Sequence, residues 1–283
     1  MGSLEKEGLE QHVSPDKWLT VQSADGPRSR LWVTDSLSLN APILWFQPDL
    51  GRCARRYTPL RHAAADHGFR LVLADLRGHG TSTESARGDF GYREMVEFDL
   101  LAQRDALRAA FPDAPILAAG HGFGGQLGLL YAARHPTAVQ GVVVVESDDF
   151  PDGRVPTASA LASQLASSAA WSLGRFPASW FGWDADVSRG VVRDLARQMR
   201  LGTIRSRGMV YEVDLRRCRT PALFFRGRDS AADTSQSLAS KIPSRYRTLV
   251  YTDGRGPAGR SLVFRDPMLL VSRIHAWRLN LPT

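Results

Sequence analysis

At the junction of an apolar run and an amphipathic run the chain reads AAGHGFGGQLG, from Ala118 to Gly128. Gly120, Gly122 and Gly124 leave the spacing G-x-G-x-G. A strand that turns sharply into a helix can expose one side chain at the turn, and in the pattern G-x-S-x-G that residue is a serine nucleophile. Here the middle position is Gly122, which has no group to form an acyl intermediate. Glycine tolerates positive φ at a strained turn, so the turn itself does not need the serine.

Three further stretches carry polar residues just after apolar runs. They are Pro48-Asp49-Leu50-Gly51, then ADLRGHGTS from 74 to 82, then FRGRD from 225 to 229. Glu146, Asp148 and Asp149 follow another such run. Each carboxylate has a plain alternative role as the cap of a loop or helix.

The elements that must position these residues alternate in type. Strand candidates are PILWFQ (42 to 47), FRLVLADL (69 to 76), PILAAG (115 to 120), GVVVVES (141 to 147), PALFFRG (221 to 227) and RTLVYTD (247 to 253). Helix candidates span 56 to 68, 92 to 112, 122 to 135, 234 to 241 and 266 to 278, the last opened by Asp266-Pro267. Such alternation predicts a mostly parallel sheet with helices on both faces. WLTVQS and RLWVTDS flank Asp25-Gly26-Pro27 and predict an N-terminal hairpin.

One segment breaks the alternation. From Asp148 to about Arg217 no strand is expected; the text is Ala/Ser-rich, then aromatic through Trp171, Phe176, Trp180, Phe181 and Trp183, then helical in VVRDLARQMR. The expected division is a core over 1–147 and 218–283, interrupted by a helical cap over 148–217. The cap aromatics either line a pocket or glue the cap to the core.

With the motifs and insertion in this order, the chain resembles the α/β-hydrolase family, in particular its small cap-bearing, serine-aminopeptidase-like members. The resemblance covers nearly the whole chain and implies the α/β-hydrolase fold. It also implies a triad in the chain order nucleophile, acid, histidine. Gly122 stands at the nucleophile position and Asp229 at the acid position, with Asp233, or Glu146 and Asp148 before the cap, as competitors. The histidine would follow RTLVYTD, but GRGPAGRSLVFRDP contains none; Arg260 is the closest match and Arg255 the next. Arginine stays protonated and cannot act as that general base.

None of the seven histidines is expected to stand in for the missing base. His79 belongs to a packing loop, His121 precedes the turn and would point away from a substrate, and His12, His62, His67, His135 and His275 lie in the N-terminal arm or on helices. The resemblance further implies an oxyanion hole from the N–H of Phe123 and a second N–H in Asp49-Leu50. Asp49 would spoil that hole if its carboxylate faced it. An Asp229–Arg260 ion pair in place of acid and histidine would leave a cationic edge near a pocket bordered by His121, Trp180 and Trp183.

Composition excludes several classes. The net charge of +7 comes almost wholly from scattered arginines, with lysine only at 6, 17 and 241, so no basic stripe marks a nucleic-acid binder. Cys53 and Cys218 are far apart and fit no metal spacing. The start MGSLEKEGLEQH is charged, and no apolar run approaches a membrane span, which predicts an unanchored cytoplasmic protein. No metal, cofactor, membrane or nucleic acid is expected; a small-molecule ligand is, with a protein partner as the second choice. The leading expectation is a pseudoenzyme that binds a small apolar or carboxylate or carbonyl ligand. The alternatives are a lyase, isomerase or cyclase of a biosynthetic pathway, and a hydrolase whose water is activated by a carboxylate.

Overall fold

Period-2 alternation of buried side chains organises the molecule. In this computed structural model, which describes residues 17–34, 38, 40–147, 168, 170–227, 238–252 and 261–281, strand Ile43–Gln47 sends Ile43 and Trp45 to one core and Leu44 and Phe46 to another. Strand Ala222–Gly227 does the same with Ala222 and Phe224 against Leu223 and Phe225. A strand buried on both faces needs helices on both.

Eight strands form one sheet: β1 (Lys17–Gln22), β2 (Arg28–Val33), β3 (Ile43–Gln47), β4 (Arg70–Ala74), β5 (Ile116–His121), β6 (Gly141–Val145), β7 (Ala222–Gly227) and β8 (Arg247–Thr252). Their order is β1-β2-β4-β3-β5-β6-β7-β8; β1, β2 and β4 pair antiparallel, and every pairing from β4 to β8 is parallel. The expected hairpin at Asp25-Gly26-Pro27 is β1–β2, with Lys17 opposite Val33.

One face of the sheet carries α1 (Leu60–Asp66) and α6 (Pro267–Arg278). The other carries a helical run whose middle, Met95–Leu100, is π-helical and continues into α2 (Leu101–Ala110), together with α3 (Phe123–Arg134). Asp266 caps α6 through Leu269 N–H at 2.9 Å, and Pro267 opens it.

The segment expected to lack strands departs from that expectation. Arg175–Phe176 pairs with Val187–Ser188, and Arg205–Ser206 with Met209–Val210, as two short antiparallel ribbons around α4 (Arg189–Leu201). Two-residue ribbons carry no periodicity that a sequence window can detect. The following helix α5 (Tyr211–Arg217) packs on α3. Of the helix expected over 234 to 241, a 3-10 turn at Leu238–Lys241 falls among the described residues. No described helix is long and apolar enough to cross a membrane.

Candidate active-site cradle

The C-terminal ends of β3, β5 and β6 lie side by side, with Gln47 opposite Gly120 and His121 opposite Val145. In parallel sheets this edge is where ligand sites form. β5 ends at His121 and α3 starts at Phe123, so the whole reversal falls on Gly122, at φ +50° and ψ −119°. Its N–H donates to the Val145 carbonyl at 2.8 Å, which ties the turn to β6. One residue into the helix, a Cβ at Gly124 would sit 2.3 Å from the Pro48 carbonyl oxygen, so the absence of a side chain there lets α3 approach the end of β3.

That approach brings the first helical N–H against the Asp49 loop. Phe123 N–H donates to Asp49 Oδ1 at 2.9 Å, and Leu50 N–H donates to the same oxygen at 2.8 Å. The two N–H groups named from sequence thus converge on one point, and the carboxylate of Asp49 already occupies it. A Cβ built on Gly122 would lie 2.2 Å from that oxygen. Of the two orientations left open for Asp49, the structure has the inward one: the helix terminus and the loop N–H are satisfied internally.

Every backbone N–H from Asp49 to Ala54 is accounted for. Asp49 N–H donates to Tyr57 Oη (2.9 Å), Leu50 to Asp49 Oδ1, Gly51 to His79 Nε2 (3.0 Å) and Arg52 to the Asp49 carbonyl (3.1 Å). Cys53 donates to Asp184 Oδ2 (3.1 Å) and Ala54 to Asp75 Oδ1 (2.7 Å). A loop whose amides are all taken, most of them by side chains from other elements, is held in one shape.

Tyr57 links the loop to the turn. Its Oη accepts the Asp49 N–H and lies 2.9 Å from His121 Nδ1; of these two partners only Nδ1 can take the phenolic hydrogen. Burial pushes the phenol well above its ordinary value, so it stays protonated. His121 is buried against the Phe264 ring and held by Tyr57. His79 donates Nδ1–H to the Arg77 carbonyl at 3.0 Å, which leaves Nε2 as acceptor for Gly51; burial lowers its affinity for a second proton.

The aromatic segment clamps this loop from the other side. The Trp183 ring packs against Gly51, where a Cβ would meet it at 2.0 Å. Asp184 N–H donates to the Gly51 carbonyl at 2.8 Å, and the Asp184 carboxylate takes Arg56 Nε and Nη2 at 2.5 Å each. The Arg56 pairing holds that carboxyl below the usual range. Trp180 and Trp171 stand 73% and 79% exposed, whereas Trp183 reaches the cradle loop at Gly51.

Glu146, a competing acid, adopts φ +47° and accepts the Leu262 N–H at 2.9 Å, ahead of a short helix at Leu262–Arg265. Asp229 and Arg260, with Asp233, Arg255, Asp148 and Asp149, lie outside the described residues. Sequence reasoning missed Tyr57, Asp75 and Asp184, and took His79 only as packing. No local pattern marks Tyr57 or Asp184, and ADLRGHGTS contains Asp75 and His79 without showing that they meet this loop, a contact that only the fold makes.

The comparisons agree with this architecture. Residues 55–199, slightly more than half of the chain, match the model of the alpha/beta hydrolase fold. Mouse monoglyceride lipase is 32% identical over 103 residues, which cover 36% of this chain and 34% of that one. A putative non-heme haloperoxidase of Mycobacterium phage D29 is 31% identical over 130 residues, 45% of this chain and 42% of that one. The matched part thus spans well under half the length of these curated relatives. Among solved structures, DcsB in complex with its substrate analogue superposes with a TM-score of 0.69 at 14% identity, over 95% of this chain and 100% of that one. A hydrolase from Pseudomonas aeruginosa gives 0.59 at 19% identity, over 93% and 98%. With its parallel sheet, its turn at Gly122 and its N–H pair at the strand ends, the chain belongs to the alpha/beta hydrolase fold family.

Proposed function

We propose that this protein binds a small ligand on a hydrolase fold and does not carry out serine-type acyl transfer. The observation that carries the reading is the Asp49 carboxylate, seated on the N–H groups of Leu50 and Phe123 and in the space a side chain at Gly122 would fill. An oxyanion would have to displace an anion to reach those donors. A carboxylate or carbonyl group is therefore disfavoured there while Asp49 stays seated, and a ligand meeting the outer oxygen of Asp49 would present a donor or a cation on an apolar body. The stretch between β8 and α6, where a triad histidine is expected, contains none.

A second reading is a non-hydrolytic enzyme, a lyase, isomerase or cyclase, in which Asp49 accepts a proton from the substrate. The fixed geometry of Asp49 favours it, since two N–H groups hold one oxygen and leave the other to act.

The two readings share a first test. The full chain is treated with a fluorophosphonate serine probe and with short-chain p-nitrophenyl esters, alongside a thermal-shift screen of amines, alcohols, carboxylates and lactones. No labelling, no ester turnover above background, and stabilisation by donor-bearing compounds are expected. Labelling of an active-site residue, or ester hydrolysis that Asp49→Ala leaves unchanged, overturns the proposal. Consumption of a stabilising compound selects the second reading over the first.

A further inference from the structure

Helix α4 sets three arginines on one face. Arg189, Arg193 and Arg197 follow at i, i+4 and i+8, a spacing at which like charges face each other and weaken a helix. Arg189 is also the first residue after the Ser188 cap, the end of a helix where a cation is disfavoured. Arg207 joins them from the ribbon beyond the helix. Its backbone sits at φ +42°, a region that a side chain of this size rarely adopts. Where several local rules are broken in one place, the usual reason is a function for the place.

Three of the four reach Asp89. Arg207 Nη2 lies 3.0 Å from Asp89 Oδ2 and also donates to the Asp89 carbonyl; Arg189 Nη2 is 3.5 Å and Arg193 Nη1 3.7 Å from the same carboxylate. Glu94 takes Arg207 Nη1 at 3.3 Å. Asp194 is fully buried and spends one oxygen inward, on Ser206 Oγ at 2.5 Å and Tyr92 N–H at 3.2 Å; its other oxygen lies 3.7 Å from Arg193 Nε. Arg197 makes no ion pair within 4.0 Å among the described residues, its charge acting on Asp194 only from farther away. An ion-pair strap between α4 and the Asp89 loop would need one or two of these arginines and would leave Arg197 and the repulsive spacing without a purpose. Arg193, Arg197 and Arg207, with Asp89 at the base, line an open groove of about 440 Å³.

We propose that this groove is a binding site for a phosphate group, free or esterified, gripped by Arg193, Arg197 and Arg207. Guanidinium forks match tetrahedral oxyanions in charge and in the direction of their N–H groups. Asp89 stands in the centre as an internal anion that keeps the forks spread and competes with the ligand. The groove is also wired to the cradle: Gln198 of α4 accepts the Tyr92 hydroxyl at 2.7 Å and Gln126 Nε2 at 2.8 Å, and the Tyr92 ring lies 5.2 Å from Phe123.

The test is calorimetric titration of the full chain at low ionic strength with inorganic phosphate, pyrophosphate and glycerol 3-phosphate. Saturable one-to-one binding of at least one of them is expected, weakening as salt rises. Binding of pyrophosphate alone assigns a free anion, and binding of glycerol 3-phosphate as well assigns an ester. Arg197→Gln should weaken affinity by about tenfold, with circular dichroism showing the fold intact. Asp89→Asn should tighten it, a gain that loss of structure could not produce. The proposal falls if none of the three anions binds, or if binding is the same in wild type and Arg197→Gln.

Discussion

The carboxylate of Asp49 and the missing side chain of Gly122 occupy one space: a Cβ at Gly122 would lie 2.2 Å from Asp49 Oδ1 and 2.5 Å from its carboxyl carbon. The glycine and the aspartate are complementary. Either could change alone only by disturbing the other, which makes the pair a single structural unit separated by more than seventy positions in the chain.

Gly122→Ser should therefore destabilise the protein by about 1–3 kcal/mol, from the positive φ and from displacement of Asp49. In an Asp49→Ala background the same substitution should cost less, because only the backbone term remains. A double-mutant cycle by urea denaturation should show a coupling of about 0.5–3 kcal/mol. Strictly additive costs would mean that the two residues do not share the space.

Asp49→Ala alone should convert the filled cradle into an open one, with Leu50 and Phe123 N–H both presented to solvent. Acetate at millimolar concentration should then perturb the amide resonances of Leu50 and Phe123 in the variant and leave them unmoved in the wild type. Equal response in both proteins would contradict the assignment of Asp49 as the occupant.

Gly51 is constrained twice, by φ +73° and by the Trp183 ring. Gly51→Ala should lower the melting temperature, at about 2–4 °C per kcal/mol lost for a chain of this size, and should speed tryptic cleavage after Arg175. Trp183→Ala in that background should recover part of the stability, since it removes the clash and leaves the backbone strain. No recovery would place the whole cost on the backbone.

His79 gives a pH dependence with a definite sign. Its folded pKa is lowered by burial, so below the ordinary histidine value near 6.5 the unfolded chain takes a proton that the folded chain refuses. Its contribution is present above about pH 6.5 and declines as pH falls toward the folded value, by at most about 1.4 kcal/mol per pH unit. His79→Gln should flatten the stability curve between pH 7 and pH 5, as followed by chemical denaturation. An unchanged slope would show that another group carries the acid sensitivity.

The sheet strands were legible because burial on both faces makes each a short continuous apolar run: FRLVLADL became β4 at Arg70–Ala74, and GVVVVES became β6 at Gly141–Val145. The junction at Gly122 was legible because the apolar run of β5 gives way there to the glycine-rich start of a helix. The ribbons at Arg175–Phe176 and Arg205–Ser206 were not, being too short for any period. Nor was the π-helical stretch at Met95–Leu100, where one widened turn leaves the apolar spacing nearly unaltered.

By itself the sequence determined the order of strands and helices, the glycine at the turn and the lack of a histidine between β8 and α6, because periodicity and residue identity are local properties. Only the tertiary structure decided that Asp49 turns inward. Its rotamer is set by the Leu50 and Phe123 N–H groups together, and by the room left at Gly122. The same holds for Asp184, Asp75 and His79, which meet the Asp49–Ala54 loop only once the sheet has brought distant strand ends side by side.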